Sequence, residues 1–428
     1  MIKRFLGKIK SDELVKGSIV LLVMINLFNL AGYLFHLIIA RLLGPEDYGI
    51  FAVLMSFVLI YAIPAEAIQT IIAKNTAVLN AKKQIGKIKG MMNKSLIRGI
   101  WISVGLFLIL GILTKVLFSK ILEINMTLII IANLILFSSF ILPVIRGVMQ
   151  GRKKFFALGW TMLIEAILKI GLGVGLVLLG LRVYGAIMGV VLAVIITFFL
   201  SFLFVKEVIK TRADKTRVGI NYKNISVWLA LAVVLLIFSS DIIIAKILFT
   251  PEIAGKYAVL SMIGKMIFYG TNGISKAMLP ITAQKHAEKK DSRRVFKKSL
   301  IITIALCLIA LIVIAIFPEL LIRILFGNVY SDVYGTLLYV AIAFSILSIT
   351  NLVLLYGISK NKFSIRDNNK LGTMKVLLGG IILLAVMILL EYKILKYYSE
   401  SIKTFSLAFI AFNMIILLIS TGVTWGKK

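Results

Sequence analysis

Pro45-Glu46-Asp47-Tyr48-Gly49-Ile50-Phe51-Ala52-Val53-Leu54 returns later in the same chain as Pro251-Glu252-Ile253-Ala254-Gly255-Lys256-Tyr257-Ala258-Val259-Leu260. Each copy sits between two long apolar runs. Ala40-Arg41-Leu42-Leu43 leads into the first and Ala245-Lys246-Ile247-Leu248 into the second, so the match covers a helix end, a turn and the next helix start. A second echo lies downstream, where Lys94-Ser95-Leu96-Ile97 and Lys298-Ser299-Leu300-Ile301 open corresponding apolar runs. Such internal repetition describes a chain of two related halves, an organisation common among membrane transporters.

Outside the repeat, the composition sets the solvent. Apolar residues make up 60% of the 428, charged residues 16%, and mean hydropathy is +1.03, which is the balance of a chain that lives in lipid. Runs of about 17–25 apolar residues read as spanning helices. In the first half they are Gly17 to Ala40, Tyr48 to Ala73, Ser95 to Phe118, Met126 to Gln150, Phe156 to Gly180 and Val183 to Val205. The second half supplies Ile225 to Phe249, Ala254 to Ala283, Leu300 to Leu325, Val333 to Ile358, Met374 to Leu390 and Ile402 to Val423. The period-two alternation of a barrel is missing, so the expected class is all-α and polytopic. Twelve helices are expected in two six-helix bundles around a central cavity: residues 1–205, a cytoplasmic linker 206–224, and residues 225–428. An even number of spans per half makes the repeats parallel, related by an axis along the membrane normal.

The net charge of +31 does not point to nucleic acid, because most of the 49 Lys and Arg fall in the N-terminus and in every second loop. By the positive-inside rule both termini and those loops are cytoplasmic. The densest are Lys82 to Lys94, Lys206 to Lys223 and Lys285 to Lys298; setting orientation is their ordinary purpose, and anionic headgroups are their natural lipid partner. The single cysteine, Cys307, lies in the ninth span and can form no intrachain disulfide. Lys3, Arg4, Lys8 and Lys10 precede a run of full spanning length without a small-residue cleavage site, which reads as a retained helix.

Ionisable groups inside a bilayer are costly enough to be functional candidates by default. Aligning the halves through the repeat places His36 opposite Asp241, and both are candidates for ion coupling. Asp241 follows Ser239 and Ser240, with Lys246 as a surface alternative for its partner. Glu66 stands two residues after Pro64 in the second span; its counterpart in the eighth is Asn272, flanked by Gly270 and Gly273. Helix breakers at matching places point to a midplane site, against the plainer reading of a proline kink. Glu165 and Lys169 are one turn apart and within reach of each other. Lys265 lies near mid-membrane, Lys276 deeper toward the cytoplasm, and Arg146 within snorkelling distance of an inner helix end. The two histidines, His36 and His286, are far apart, the acids do not cluster for a metal, and no phosphate loop is present; no cofactor and no enzymatic site are expected.

The stretch Ala40 through Phe51 after the first span resembles the multidrug/oligosaccharidyl-lipid/polysaccharide flippase superfamily, as do Asp241 through Gly255, Tyr257 and Ala258 and the junction Pro318-Glu319-Leu320-Leu321 with Phe326-Gly327 and Tyr330. Its polysaccharide-transporter branch is the nearest match. The likeness spans nearly the whole chain, with one departure: Phe249-Thr250-Pro251 stands where the first copy has Gly44-Pro45. The resemblance implies a transporter that flips a lipid-linked oligosaccharide of polyprenyl-diphosphate type across the cytoplasmic membrane for cell-surface glycan synthesis. Lys265, Lys276, Lys169 and Arg146 would receive the headgroup, and Asp241, Glu66, His36, Glu165 and Asn272 would supply cavity polarity or couple H+ or Na+. The expected partners are that substrate, membrane lipids and polysaccharide-assembly enzymes. A cation-coupled multidrug exporter of the same superfamily is the alternative. A membrane glycosyltransferase or phosphotransferase lacks its acidic site here, and a scaffold for assembly enzymes would use the basic loops alone.

Overall fold

A computed structural model describes residues 13–113, 119–214, 225–288, 290–360 and 370–425. The expected cytoplasmic ends, with Lys3, Arg4, Lys8 and Lys10, and the linker portion 215–224 lie outside the described residues. Because lipid offers the backbone no hydrogen-bond partner, each apolar run closes its own ladder as a helix. The order is α1 (Glu13–Ala81), α2 (Ile85–Leu113), α3 (Ser119–Leu122), α4 (Met126–Asn133), α5 (Ile135–Gly151), α6 (Phe155–Leu176) and, after a π turn, α7 (Arg182–Phe204) and α8 (Lys206–Lys210). The second half holds α9 (Ile225–Leu248), α10 (Pro251–Ala287), α11 (Arg293–Ile316), α12 (Pro318–Leu325), a 3-10 turn, α13 (Tyr334–Ser359), α14 (Lys370–Tyr397) and α15 (Ile402–Trp425). The fold is all-α and polytopic. The 69 residues of α1 contain two passes and α4 with α5 make one, so these helices account for all twelve apolar runs.

The repeated sentence explains where helices stop. In the first copy Gly44 takes φ +74° and ψ 177°, a backbone that L side chains rarely adopt, and this one residue divides α1. In the second copy the helix ends at Leu248 and Pro251 restarts it, so the extra residue of Phe249-Thr250 is absorbed in a short non-helical step. Pro251 with Glu252 opens its helix, and Pro318 with Glu319 opens α12, which divides the expected run Leu300 to Leu325 at Phe317: proline needs no donor at a helix start, and the carboxylate complements the positive end of the helix dipole. The expected helix breaks do not form. The helix runs on through Pro64 and through Gly270 and Gly273, because carbonyls freed by a proline can find other donors inside a membrane bundle and an isolated glycine only weakens a ladder.

Two compact units result. The first comprises residues 1–43 and 57–221, the second residues 44–56 and 222–428. In the first unit Ile72, Ile88, Met91, Ile145, Val148 and Leu158 form the core. The second is organised on α13, whose Val340, Phe344, Leu347, Leu352 and Tyr356 are sealed from the surface, with Phe296 stacked on Tyr356 at 4.5 Å. By contrast α11 leaves Ile301, Ile309 and Ile312 more than half exposed, as a helix facing hydrocarbon can.

The stretch Gly44–Ser56 packs within the second unit. Tyr48, fully buried, meets the rings of Phe326 and Tyr330 at 6.3 and 6.5 Å. Gly49 and Gly255, which hold matching places in the two copies, lie backbone against backbone: a Cβ built on Gly49 would stand 3.0 Å from the Cα of Gly255. The two copies of the repeat therefore pack on each other.

On the basic side of the first unit, α8 is fastened down. Arg152 donates to Glu207 at 2.8 Å and Lys154 at 3.1 Å, Lys89 donates to the carbonyl of Ile209, and the Asp214 amide donates to the Gly86 carbonyl at 3.0 Å. The bonds from Arg152, then Lys154, hold the Glu207 carboxyl below its ordinary range. A lowered carboxylate contributes stability above its unfolded pKa and loses it as pH falls through the folded one. Protection of the amides of residues 206–214, taken relative to their intrinsic exchange rate at each pH, is accordingly expected to fall once the pH drops below the usual carboxylate range. In Glu207→Gln that pH dependence should vanish; an identical acid response in the variant would count against the clamp.

Candidate functional site

Each unit carries a polar cluster inside its spans. In the first, α4, α5 and the second pass of α1 face each other through side-chain amides: Tyr61 donates to Asn133 Oδ1 at 2.6 Å and Gln69 Nε2 to Gln150 Oε1 at 3.0 Å. More than three turns beyond Asn133, Arg146 of α5 reaches α6. Its Nη2 donates to Glu165 Oε2 at 2.6 Å and to the Thr161 carbonyl at 3.2 Å. One turn along α6, Lys169 places its ammonium over the rings of Phe28 and Phe35, 5.7 and 5.3 Å from their centroids, an arrangement that suits a cation through the negative ring faces. Among the described residues no carboxylate lies within ion-pair distance of Lys169.

In the second unit the cluster is built on Asp241 of α9, which is fully buried. Lys265 of α10 contacts its Oδ1 at 3.2 Å, Ser261 donates to its Oδ2, and Tyr257 approaches the same oxygen at 3.4 Å. The ammonium of Lys265 lies under the Phe238 and Phe344 rings at 5.0 and 5.6 Å. Three successive turns of α10 (257, 261, 265) thus present donors to one carboxylate, the spacing that puts i and i+4 on a common face. Beside it Glu391 of α14, also fully buried, takes Ser240 Oγ at 2.8 and 2.7 Å to its two oxygens.

The sequence candidates fall into this frame unevenly. Arg146, Glu165 and Lys169 are brought together, but Glu165 bonds to Arg146 rather than pairing with Lys169, and Arg146 reaches a partner within the unit instead of snorkelling. Asp241 and Lys265 are brought together too; the ion-pair partner of Asp241 is Lys265 rather than Lys246, the alternative that the sequence left open. Lys246 is itself buried. Asn272 accepts from Asn351 Nδ2 at 3.0 Å. Glu66 and Lys276 are exposed on their helices, and His36 is half-buried beside Phe35.

Glu391 escaped the sequence reading because the apolar run was closed at Leu390. That run stands at the short end of the roughly 17–25 residues a bilayer needs, and this was the available signal: α14 continues to Tyr397 and carries the acid inside. The repeat gives it a counterpart. In the alignment that sets His36 opposite Asp241, Phe35 matches Ser240. The fifth span of the first half offers Lys169 at Phe35, and the fifth span of the second half offers Glu391 at Ser240. The two matched residues thus contact groups of opposite kind, an ammonium and a carboxyl group.

Comparison with known proteins follows the same lines. A family model described as polysaccharide biosynthesis protein matches residues 38–335. Among solved structures, an inward-facing multidrug resistance MATE family transporter of the MOP superfamily superposes with a TM-score of 0.70 at 15% identity, over 92% of this chain and 93% of that one. An outward-facing MATE structure gives 0.61 at 17%, and a MOP superfamily transporter from Pyrococcus furiosus, described as having a binding pocket of reverse polarity, gives 0.61 at 15%; both comparisons cover 96% of this chain and 94% of the other. No curated protein matches. Identities this low speak for the fold, while the family model covers well over half of the sequence. The chain is a multi-pass membrane protein that belongs to the polysaccharide biosynthesis protein family, on the fold of the multidrug/oligosaccharidyl-lipid/polysaccharide flippase superfamily.

Proposed function

We propose that this protein flips a lipid-linked oligosaccharide, of polyprenyl-diphosphate type, from the cytoplasmic to the outer leaflet of the cytoplasmic membrane by alternating access. Both termini and the basic loops face the cytoplasm in this reading, next to anionic lipids and the enzymes that assemble the glycan. The observation that carries it is the cationic set of the first unit, Arg146 and Lys169, in a chain of the polysaccharide biosynthesis family. A diphosphate needs charged donors where water is scarce. Lys169 offers an ammonium with no carboxylate within ion-pair distance among the described residues, and Arg146 a planar fork suited to phosphate oxygens. Lys265, committed to Asp241, serves instead in the coupling cluster with Glu391 of the second unit, where H+ or Na+ would act.

Purified protein in vesicles is expected to expose a lipid-linked sugar on the outer leaflet to an added enzyme. Lys169→Met should slow that exposure by about tenfold or more, the scale of one desolvated charge contact, with membrane insertion unchanged. Full-rate flipping by the variant would remove Lys169 from the headgroup site. A second reading, a cation-coupled multidrug exporter, draws support from the buried acids Asp241 and Glu391 together with the MATE-like fold. Resistance profiling of a deletion strain separates the two: hypersensitivity to organic cations with normal surface glycan would favour export.

A further inference from the structure

Glu165 is an odd neighbour for an anion site. It lies between two cations, bonded to Arg146 at 2.6 Å and one helical turn before Lys169 on α6, in the Glu-then-Lys order that favours i, i+4 pairing. The Arg146 and Glu165 side chains are only 13% and 14% exposed, so little water screens what passes between them. Arg146 also has capacity in reserve: its Nε is buried with no hydrogen-bond partner, while only Nη2 is used, by Glu165 and by the Thr161 carbonyl. A guanidinium has five N–H donors in a fixed fork and binds phosphate best through two at once.

Resting on the headgroup reading above, we infer that Glu165 is the release residue of this site, an internal anion that competes with the substrate's phosphate for Arg146. When the headgroup takes the guanidinium, Glu165 swings by side-chain rotation to Lys169 and keeps a cationic partner. Its return to Arg146 then displaces the phosphate. A site of two cations alone would hold a diphosphate too firmly to let it go, since a transporter gains nothing from affinity that outlasts the turnover. The carboxylate lowers the affinity and places the competitor where the cargo leaves. Glu165 acts through Arg146 and is therefore a positioning residue for the substrate.

The test uses the full chain in nanodiscs, with farnesyl diphosphate as the probe, farnesol as the uncharged control and inorganic pyrophosphate to separate a lipid-borne from a free phosphate. Glu165→Gln keeps an acceptor for Arg146 and removes the charge. It is expected to bind farnesyl diphosphate about tenfold more tightly than the wild type while flipping lipid-linked sugar more slowly, a split between binding and turnover that a merely structural role would not produce. Glu165→Ala is read the same way should the glutamine variant fold poorly. Wild-type binding with no tightening in either variant overturns this inference and leaves the headgroup site standing. No binding of farnesyl diphosphate above farnesol, in wild type and variants alike, overturns both. Equal gains for inorganic pyrophosphate support the competition and assign the site to free phosphates.

Discussion

Asp241→Ala is expected to destabilise the second unit by about 3–5 kcal/mol, the cost of leaving one partner of a buried ion pair unpaired. Lys265 would remain under the Phe238 and Phe344 rings with its carboxylate gone, and the Ser261 and Tyr257 hydroxyls would lose their acceptor. Lys265→Met should cost a comparable amount, because Asp241 would then face only hydroxyls. The double variant Asp241→Ala/Lys265→Met should be more stable than either single one, since an apolar pair of similar volume carries no desolvation penalty. Thermal melting of the detergent-purified proteins reads this directly. If the three variants show additive losses, the two side chains are not energetically coupled, and the cluster built on Asp241 is not the unit described above.

The other large effect is expected at Gly255. A methyl group there would sit 1.7 Å from the carbonyl oxygen of Pro45, a backbone atom that cannot step aside without moving the turn. Gly255→Ala should therefore lower stability by about 1–3 kcal/mol or more, as overpacking does, and the loss should show as a lower melting temperature and reduced yield of folded protein. Gly270→Ala is the matched control on the same helix: nothing lies within 4 Å of its added Cβ, and alanine is the better helix former by about 1 kcal/mol. It should melt at or above the wild-type temperature. Equal melting of both variants would mean that the two copies of the repeat do not pack as closely as Gly49 and Gly255 indicate.

Much of this architecture is legible in the residues alone. Span length, hydropathy and the Pro-Glu turns depend on local chemistry, so the helices and their starts follow from the sequence, and Gly44 marks the break in α1 because glycine alone adopts that backbone easily. Charge partners are another matter. Glu165 has Lys169 one turn away in sequence yet bonds to Arg146 on the preceding helix, and Asp241 passes over the nearby Lys246 for Lys265 across a turn. Which neighbour wins is decided by how two helices pack, and nothing in either helix alone encodes that. Glu391 shows the remaining difficulty: an acid at the end of an apolar run reads as the membrane boundary until a helix from elsewhere supplies Ser240 to receive it.

The opposite kinds of group at Lys169 and Glu391 have a consequence for the ancestry of the chain. A duplication begins with two identical copies, each able to do whatever the other does. At this one position the halves now differ, an ammonium over Phe35 in one and a carboxyl group at Ser240 in the other. A chimera that joined two first halves would hold ammonium groups at both places, and one that joined two second halves would hold carboxylates at both. Under the function proposed above, neither chimera would serve cargo and coupling ion together, and the twins would no longer be exchangeable.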